Sequence, residues 1–199
     1  MKHLRFLLVP VLAVSMALPA AAEKISLKEI SNYFNSFSTA QSRFSQVNAD
    51  GSKSSGNMFM QRPGRARFEY DKPDDTLVIA GGSQVAIFDQ KSNTGPEQYP
   101  LNRTPLSIIL AKNVNLGGAK MVVGHGTRGT DTVVRAQDPK NPEYGSIDLI
   151  FEANPTRLIE WIINDAAGNA GTRVIFGDFK TGVSLPASLF NITLASRER

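Results

Sequence analysis

No cysteine occurs among the 199 residues, and histidine occurs only twice. The first absence excludes a disulfide framework, a thiolate catalyst and a sulfur-ligated metal. With His3 inside the N-terminal segment described below, His125 is the one imidazole left, too few soft ligands for a zinc site. Charge of one sign is also scarce, since 22 Lys and Arg face 18 Asp and Glu for a formal net charge of +4. That excess is small and spread along the chain, so it gives no electrostatic case for nucleic acid. Long apolar runs are missing too, apart from Phe6 to Leu18.

That run reads as the core of an export signal. Lys2 and Arg5 precede it, and Ala20, Ala21 and Ala22 form a small-residue cleavage site before Glu23. It is too short to span a bilayer. Residues 1–22 are therefore expected to be removed, which lowers the formal charge to +2 because only Lys2 and Arg5 leave. The cleavage site has no cysteine, so no N-terminal lipid anchor is expected. What remains, 23–199, is roughly 175 residues and fits a single domain with a sizeable core.

The mature chain starts with a helix. Ser26 can cap it, Glu29 follows at capping-box spacing, and Leu27, Ile30, Phe34 and Phe37 recur with helical period. Strands are expected near 41–49, 54–62, 65–71, 76–80, 84–89 and 96–100, separated by turn residues such as Asp50-Gly51, Pro63-Gly64 and Gly81-Gly82. A second helix is expected from Thr104, as cap, to about Asn113, with Leu106, Ile109 and Leu110 as its apolar stripe. Strands then resume near 119–124, 130–136, 146–152, 157–164, 171–179 and 189–194. The spacing suggests one continuous antiparallel meander.

Catalytic constellations are not recognisable. Gly124 to Gly129 spells G-x-G-x-x-G, but a strand-like Thr130 to Val134 follows where a dinucleotide site needs a helix. A hairpin loop is the expected reading. His125 has no serine or carboxylate at a known spacing, and Asp74-Asp75 beside Pro73 reads as a solvated turn. An enzyme is not expected, and neither a cofactor nor a metal.

The richest stretch runs from Ser55 to Pro73. Alternation across a strand puts Met58, Met60 and Arg62 on one face, then Ala66, Phe68 and Tyr70 on one face with Arg65, Arg67 and Glu69 opposite. An arginine on the methionine face either reaches solvent at the sheet's end or is held by carbonyl acceptors over an apolar floor.

With the runs Phe37 to Gln46, Asp74 to Gly82, Val85 to Asp89 and Thr104 to Leu110, this stretch resembles the LolA family of periplasmic lipoprotein carriers. The resemblance covers about the first half of the mature chain; the second half matches only as a succession of strands. It implies an α+β fold, an antiparallel sheet curled into an incomplete, half-open β-barrel with a helical lid. It further implies a periplasmic, non-enzymatic monomer that takes acylated outer-membrane lipoproteins from an inner-membrane ABC releasing complex. Delivery is to the outer membrane, through a receptor there where one exists.

By the same resemblance, Arg62 is the latch that holds lid-helix carbonyls. Met58, Met60, Phe68, Tyr70, Leu106, Ile109 and Leu110 are the residues expected against acyl chains. Their alternative role is an ordinary closed core. Ala66, Phe68 and Ala86 replace bulkier residues expected at the cavity wall, Gly81-Gly82 replaces an aspartate–glycine turn, and the C-terminus departs from the family. Other functions remain open: a related module binding another amphiphile or sensing envelope lipids, a ligand-free scaffold, or a hydrolase.

Overall fold

The computed structural model describes residues 24–89, 94–118, 120–167 and 169–198. The expected signal segment 1–22 lies outside them. Helix α1, Leu27–Asn35, starts as expected, with the Ser26 hydroxyl accepting from the Glu29 amide at 3.1 Å. The Glu29 carboxylate does not close a capping box and instead accepts from the Thr156 hydroxyl.

Six strands follow: β1 Thr39–Val47, β2 Lys53–Gln61, β3 Arg65–Tyr70, β4 Leu77–Gly81, β5 Gln84–Phe88 and β6 Glu97–Pro100. After helix α2, Leu106–Ile109, come β7 Val122–Arg128, β8 Asp131–Gln137, β9 Ser146–Glu152, β10 Arg157–Asn164, β11 Ala170–Phe176 and β12 Lys180–Thr181. Helix α3, Ile192–Glu198, ends the chain's described part.

All twelve strands form one antiparallel sheet in the order β6-β5-β4-β3-β2-β1-β11-β10-β9-β8-β7, with β12 paired to β1. The expected single meander is thus two meanders joined where β1 pairs β11. The sheet does not close: β6 and β7 are its free edges. One face carries the main core, shared by Phe44, Met58, Met60, Phe68, Leu149, Trp161 and Val174 from the sheet and Ile30, Phe34, Leu106 and Ile109 from the helices. Curling of the sheet around the helices gives the half-open barrel expected from the sequence.

Four further expectations need correction. The second helix is one turn rather than three: Leu101–Arg103 forms a 3-10 turn before it, and the Thr104 hydroxyl donates back to the Leu101 carbonyl instead of capping. The Gly124–Gly129 run is not a loop, because β7 runs through Arg128 and the turn falls at Gly129-Thr130.

The expected strand at 189–194 is a 3-10 turn, Ala187–Phe190, followed by α3. Asn191 makes the difference by accepting the Leu194 amide at 3.0 Å, an N-cap bond that starts a helix. Fourth, Ala86 is not on the barrel's inner wall. It sits on the outer face with Leu77, Ile79 and Phe88, beneath Ala195 of α3. Gly81 fits the same packing, since a Cβ there would stand 2.2 Å from the Phe190 carbonyl oxygen.

Candidate functional site

The site begins at the turn between β2 and β3. Gln61 ends β2, and the chain turns through Arg62, Pro63 and Gly64. Two backbone bonds fix that turn: the Arg62 amide donates to Ser38 O at 2.7 Å and the Gly64 amide to Leu110 O at 2.8 Å. The Arg62 side chain then runs inward and is only 8% exposed.

Its guanidinium donates to the Phe34 carbonyl, to the Phe37 carbonyl at 2.5 Å and to the Ala111 carbonyl at 3.4 Å. Phe34 lies in the last turn of α1, and Ala111 just beyond α2. The final carbonyls of a helix have no intrahelical partner and carry the negative end of its dipole, so a cation is well placed there. The Phe37 ring adds a face to the charge at 5.6 Å. Burial pulls the Arg62 pKa below its ordinary value, and no carboxylate pairs with it among the described residues. Carbonyl dipoles, with the Phe37 ring, hold this charge, which is the second of the two alternatives posed by the sequence.

The two helical segments are also tied to each other. Asn35 donates to the Val114 carbonyl at 2.8 Å and accepts the Val114 amide at 3.0 Å. Ser31 accepts the Leu116 amide at 3.0 Å. Helix α1 and the segment after α2 therefore form one hydrogen-bonded unit, with Arg62 joining it to the sheet.

Beneath that unit the expected acyl-chain residues come together. Met58 lies opposite Phe68 and Met60 opposite Ala66, all pointing inward. Met58, Met60 and Ile109 are fully buried, Phe68, Leu106 and Leu110 nearly so, and Tyr70 packs against them from the rim. The Tyr70 hydroxyl donates to Gln46 at 2.6 Å, and burial pushes its pKa up to about 12. Tyr70 thus marks the change from the apolar interior to a polar groove bordered by Gln46, Ser54 and Asp71. At the opposite end, a surface hollow of about 440 Å³ between Asn35, Phe37, Pro63 and Lys112 reaches Arg62.

An aromatic ladder lines the same interior, and of its members only Phe68 and Tyr70 were among the expected site residues. It runs Tyr70–Phe44–Phe68–Trp161–Phe176–Phe179–Phe37, with successive ring centroids 4.7–6.0 Å apart. Trp161 on β10 and Phe176 on β11 carry only part of a period-2 signal, because their outward neighbours include Ile162 and Ile175 beside Glu160 and Arg173. Asn35 carries no comparable signal, because its partner lies 79 residues away. Chemically, the arrangement offers a deformable apolar interior rich in Met and Phe, closed by hydrogen bonds to one arginine. Among the described residues no group of His, Cys, Asp or Glu could hold a metal ion.

Known proteins are similar to this chain in sequence. The "Outer-membrane lipoprotein carrier protein" of Nitrosomonas europaea is 28% identical over 95% of this chain and 94% of its own length. The protein of the same name from Azotobacter vinelandii is 25% identical over 96% and 94%. A crystal structure of a LolA superfamily protein from Nitrosomonas europaea overlays with a TM-score of 0.47 and 10% identity, over 84% of this chain and 98% of the other. The profile of the family described as "Outer membrane lipoprotein carrier protein LolA" matches residues 35–193, and the chain belongs to that family.

Proposed function

We propose that this chain, exported and trimmed to a single domain of residues 23–199, carries acylated outer-membrane lipoproteins across the periplasm. It does so as a monomer and without catalysis. It receives cargo from an inner-membrane ABC releasing complex and passes it to the outer membrane, to a receptor where one exists. The observation that carries this reading is Arg62 joining the carbonyl ends of two helices to the sheet above a Met- and Phe-lined interior.

The energetics favour such a design. Burial of an acyl chain is worth about 0.8 kcal/mol per methylene, so several chains sum to far more than a carrier can capture and still release. A charge-assisted hydrogen bond is worth about 1.5–3 kcal/mol, enough to favour closure and little enough for entering chains to displace. In this reading Met58, Met60, Phe68, Tyr70, Leu106, Ile109 and Leu110 separate to receive the chains, and Arg62 is the latch. The family is one of carriers, and a hydroxyl–imidazole–carboxylate arrangement plays no part in the site.

Mass spectrometry of the protein purified natively from periplasm tests the reading. Intact acylated polypeptides should co-purify with it. Free lipid alone would instead favour an amphiphile-binding or lipid-sensing role, and an empty protein a scaffold.

A further inference from the structure

Among the described residues, four buried side-chain polar atoms have no hydrogen-bond partner: the Tyr33 and Ser54 hydroxyls, Arg62 Nε and Trp161 Nε1. Tyr33 and Ser54 belong to residues that keep part of their surface in water, and Arg62 places its other nitrogens on carbonyls. Trp161 differs from all three. It is 1% exposed, in the middle of β10, opposite Leu149 and Val174, and inside the same cluster as Met58, Met60 and Ile109. Its ring packs 5.8 Å from Phe68 and 4.7 Å from Phe176, the latter edge to face. Aromatic faces give an N–H at most a weak π partner.

An unpaired donor in an apolar core is costly, and a phenylalanine could fill much of the space without it. A ligand that brings an acceptor into the interior would remove that cost. The cargo proposed above has one, because an acyl chain is hydrocarbon except for the ester carbonyl at its head. On entry that carbonyl also loses its water. Pairing it with the indole N–H satisfies two stranded groups at once.

We infer that Trp161 Nε1 forms an ester-carbonyl subsite inside the barrel, selecting acyl esters over alkyl chains of equal length. The inference rests on the carrier reading and adds a chemical preference to it. Its size should be that of one neutral hydrogen bond, about three- to tenfold in affinity.

Trp161 is the chain's single tryptophan, so intrinsic emission reports on this residue alone. The test uses two soluble probes of equal chain length, 1,2-dioctanoylglycerol with two ester carbonyls and its diether, 1,2-dioctylglycerol. Affinities are measured for the wild type, for Trp161→Phe, and for protein with benzothienylalanine at 161, which keeps the ring shape but replaces N–H by sulfur. The ratio of diester to diether affinity should fall about three- to tenfold on losing the N–H, in both variants. Wild-type emission should shift to the red with the diester and not with the diether. An unchanged ratio in the benzothienyl protein, with both probes bound, overturns the subsite and leaves the carrier reading standing. If neither probe binds the wild type, the carrier reading fails and the subsite with it.

Discussion

Asn35 grips Val114 through both of that residue's backbone groups, donating to its carbonyl at 2.8 Å and accepting its amide at 3.0 Å. A primary amide is the side chain that can do both at once. The bond couples α1 to the segment after α2, so the two should leave the sheet together. Asn35→Ala removes both bonds and should cost about 1–3 kcal/mol of stability. Asn35→Asp keeps the acceptor and loses the donor, and should fall between alanine and the wild type. Hydrogen exchange at the Val114 and Leu116 amides, with urea denaturation of each variant, measures this directly. Equal protection in all three proteins would mean that the helices are not coupled through Asn35.

Arg62→Leu removes the bonds to Phe34, Phe37 and Ala111. The mutant is expected to fold, to bind more of a hydrophobic dye, and to accept lipoprotein but pass it on poorly. Empty and closed no longer competes well with loaded and open. Lysine should rescue in part, because it restores the charge without the planar fork that reaches several carbonyls. Wild-type transfer to outer membranes by the leucine variant would remove Arg62 from the mechanism.

Ile109 is fully buried against the sheet. If its helix is a movable cover, Ile109→Asp should shift the population toward the open state, with a modest loss of stability and a gain in dye binding by the folded protein. In a static core the same change strands an unpaired charge and costs several kcal/mol. Thermal unfolding at a much lower temperature, without extra dye binding before the transition, would identify a plain core helix.

Glu160 is 3% exposed on the outer face of β10, between Arg128 at 3.0 and 3.1 Å and Arg173 at 2.7 Å. Burial raises its pKa, but the bonds from Arg173 and Arg128 outweigh that and hold it below the ordinary value of 4.5. A carboxylate with a lowered folded pKa contributes its stability in full above the unfolded value and loses it as pH falls through the folded one. Stability should therefore decline below about pH 4.5. Glu160→Gln should be about 1.5–3 kcal/mol less stable at pH 7 and decline less steeply in acid. Urea midpoints at pH 7 and pH 3.5 decide it; parallel pH profiles would show that the triad does not contribute.

Local chemistry made much of this fold legible. The Ser26 cap, the strand alternation of β2 and β3, and the face that Arg62 shares with Met58 and Met60 all depend on neighbours a few residues away, whereas the carbonyls that hold Arg62 inward lie 25, 28 and 49 residues off. The tail misleads because Leu189 to Leu194 alternates like a strand, while Asn191 caps a helix and Ile192 and Ala195 bury against Leu77, Ile79 and Phe88. Ala86 misleads for the same reason, since the inner and outer faces of β5 are both apolar. Pattern alone does not say which face α3 will cover. The partners of Asn35 and Glu160 lie 79, 13 and 32 residues away, and no local spacing encodes them.

Hydrogen exchange during loading tests most directly whether acyl chains enter beneath the helices. A diacylated lipopeptide is added to the mature protein, and amide protection is followed across the chain. Protection should fall in residues 27–35 and 106–118 while β1, β2, β10 and β11 keep theirs, and Arg62→Leu should show the lower helix protection before any lipopeptide is added. Lipopeptide bound with the helix amides fully protected would contradict entry beneath the helices, and place the cargo elsewhere on the sheet.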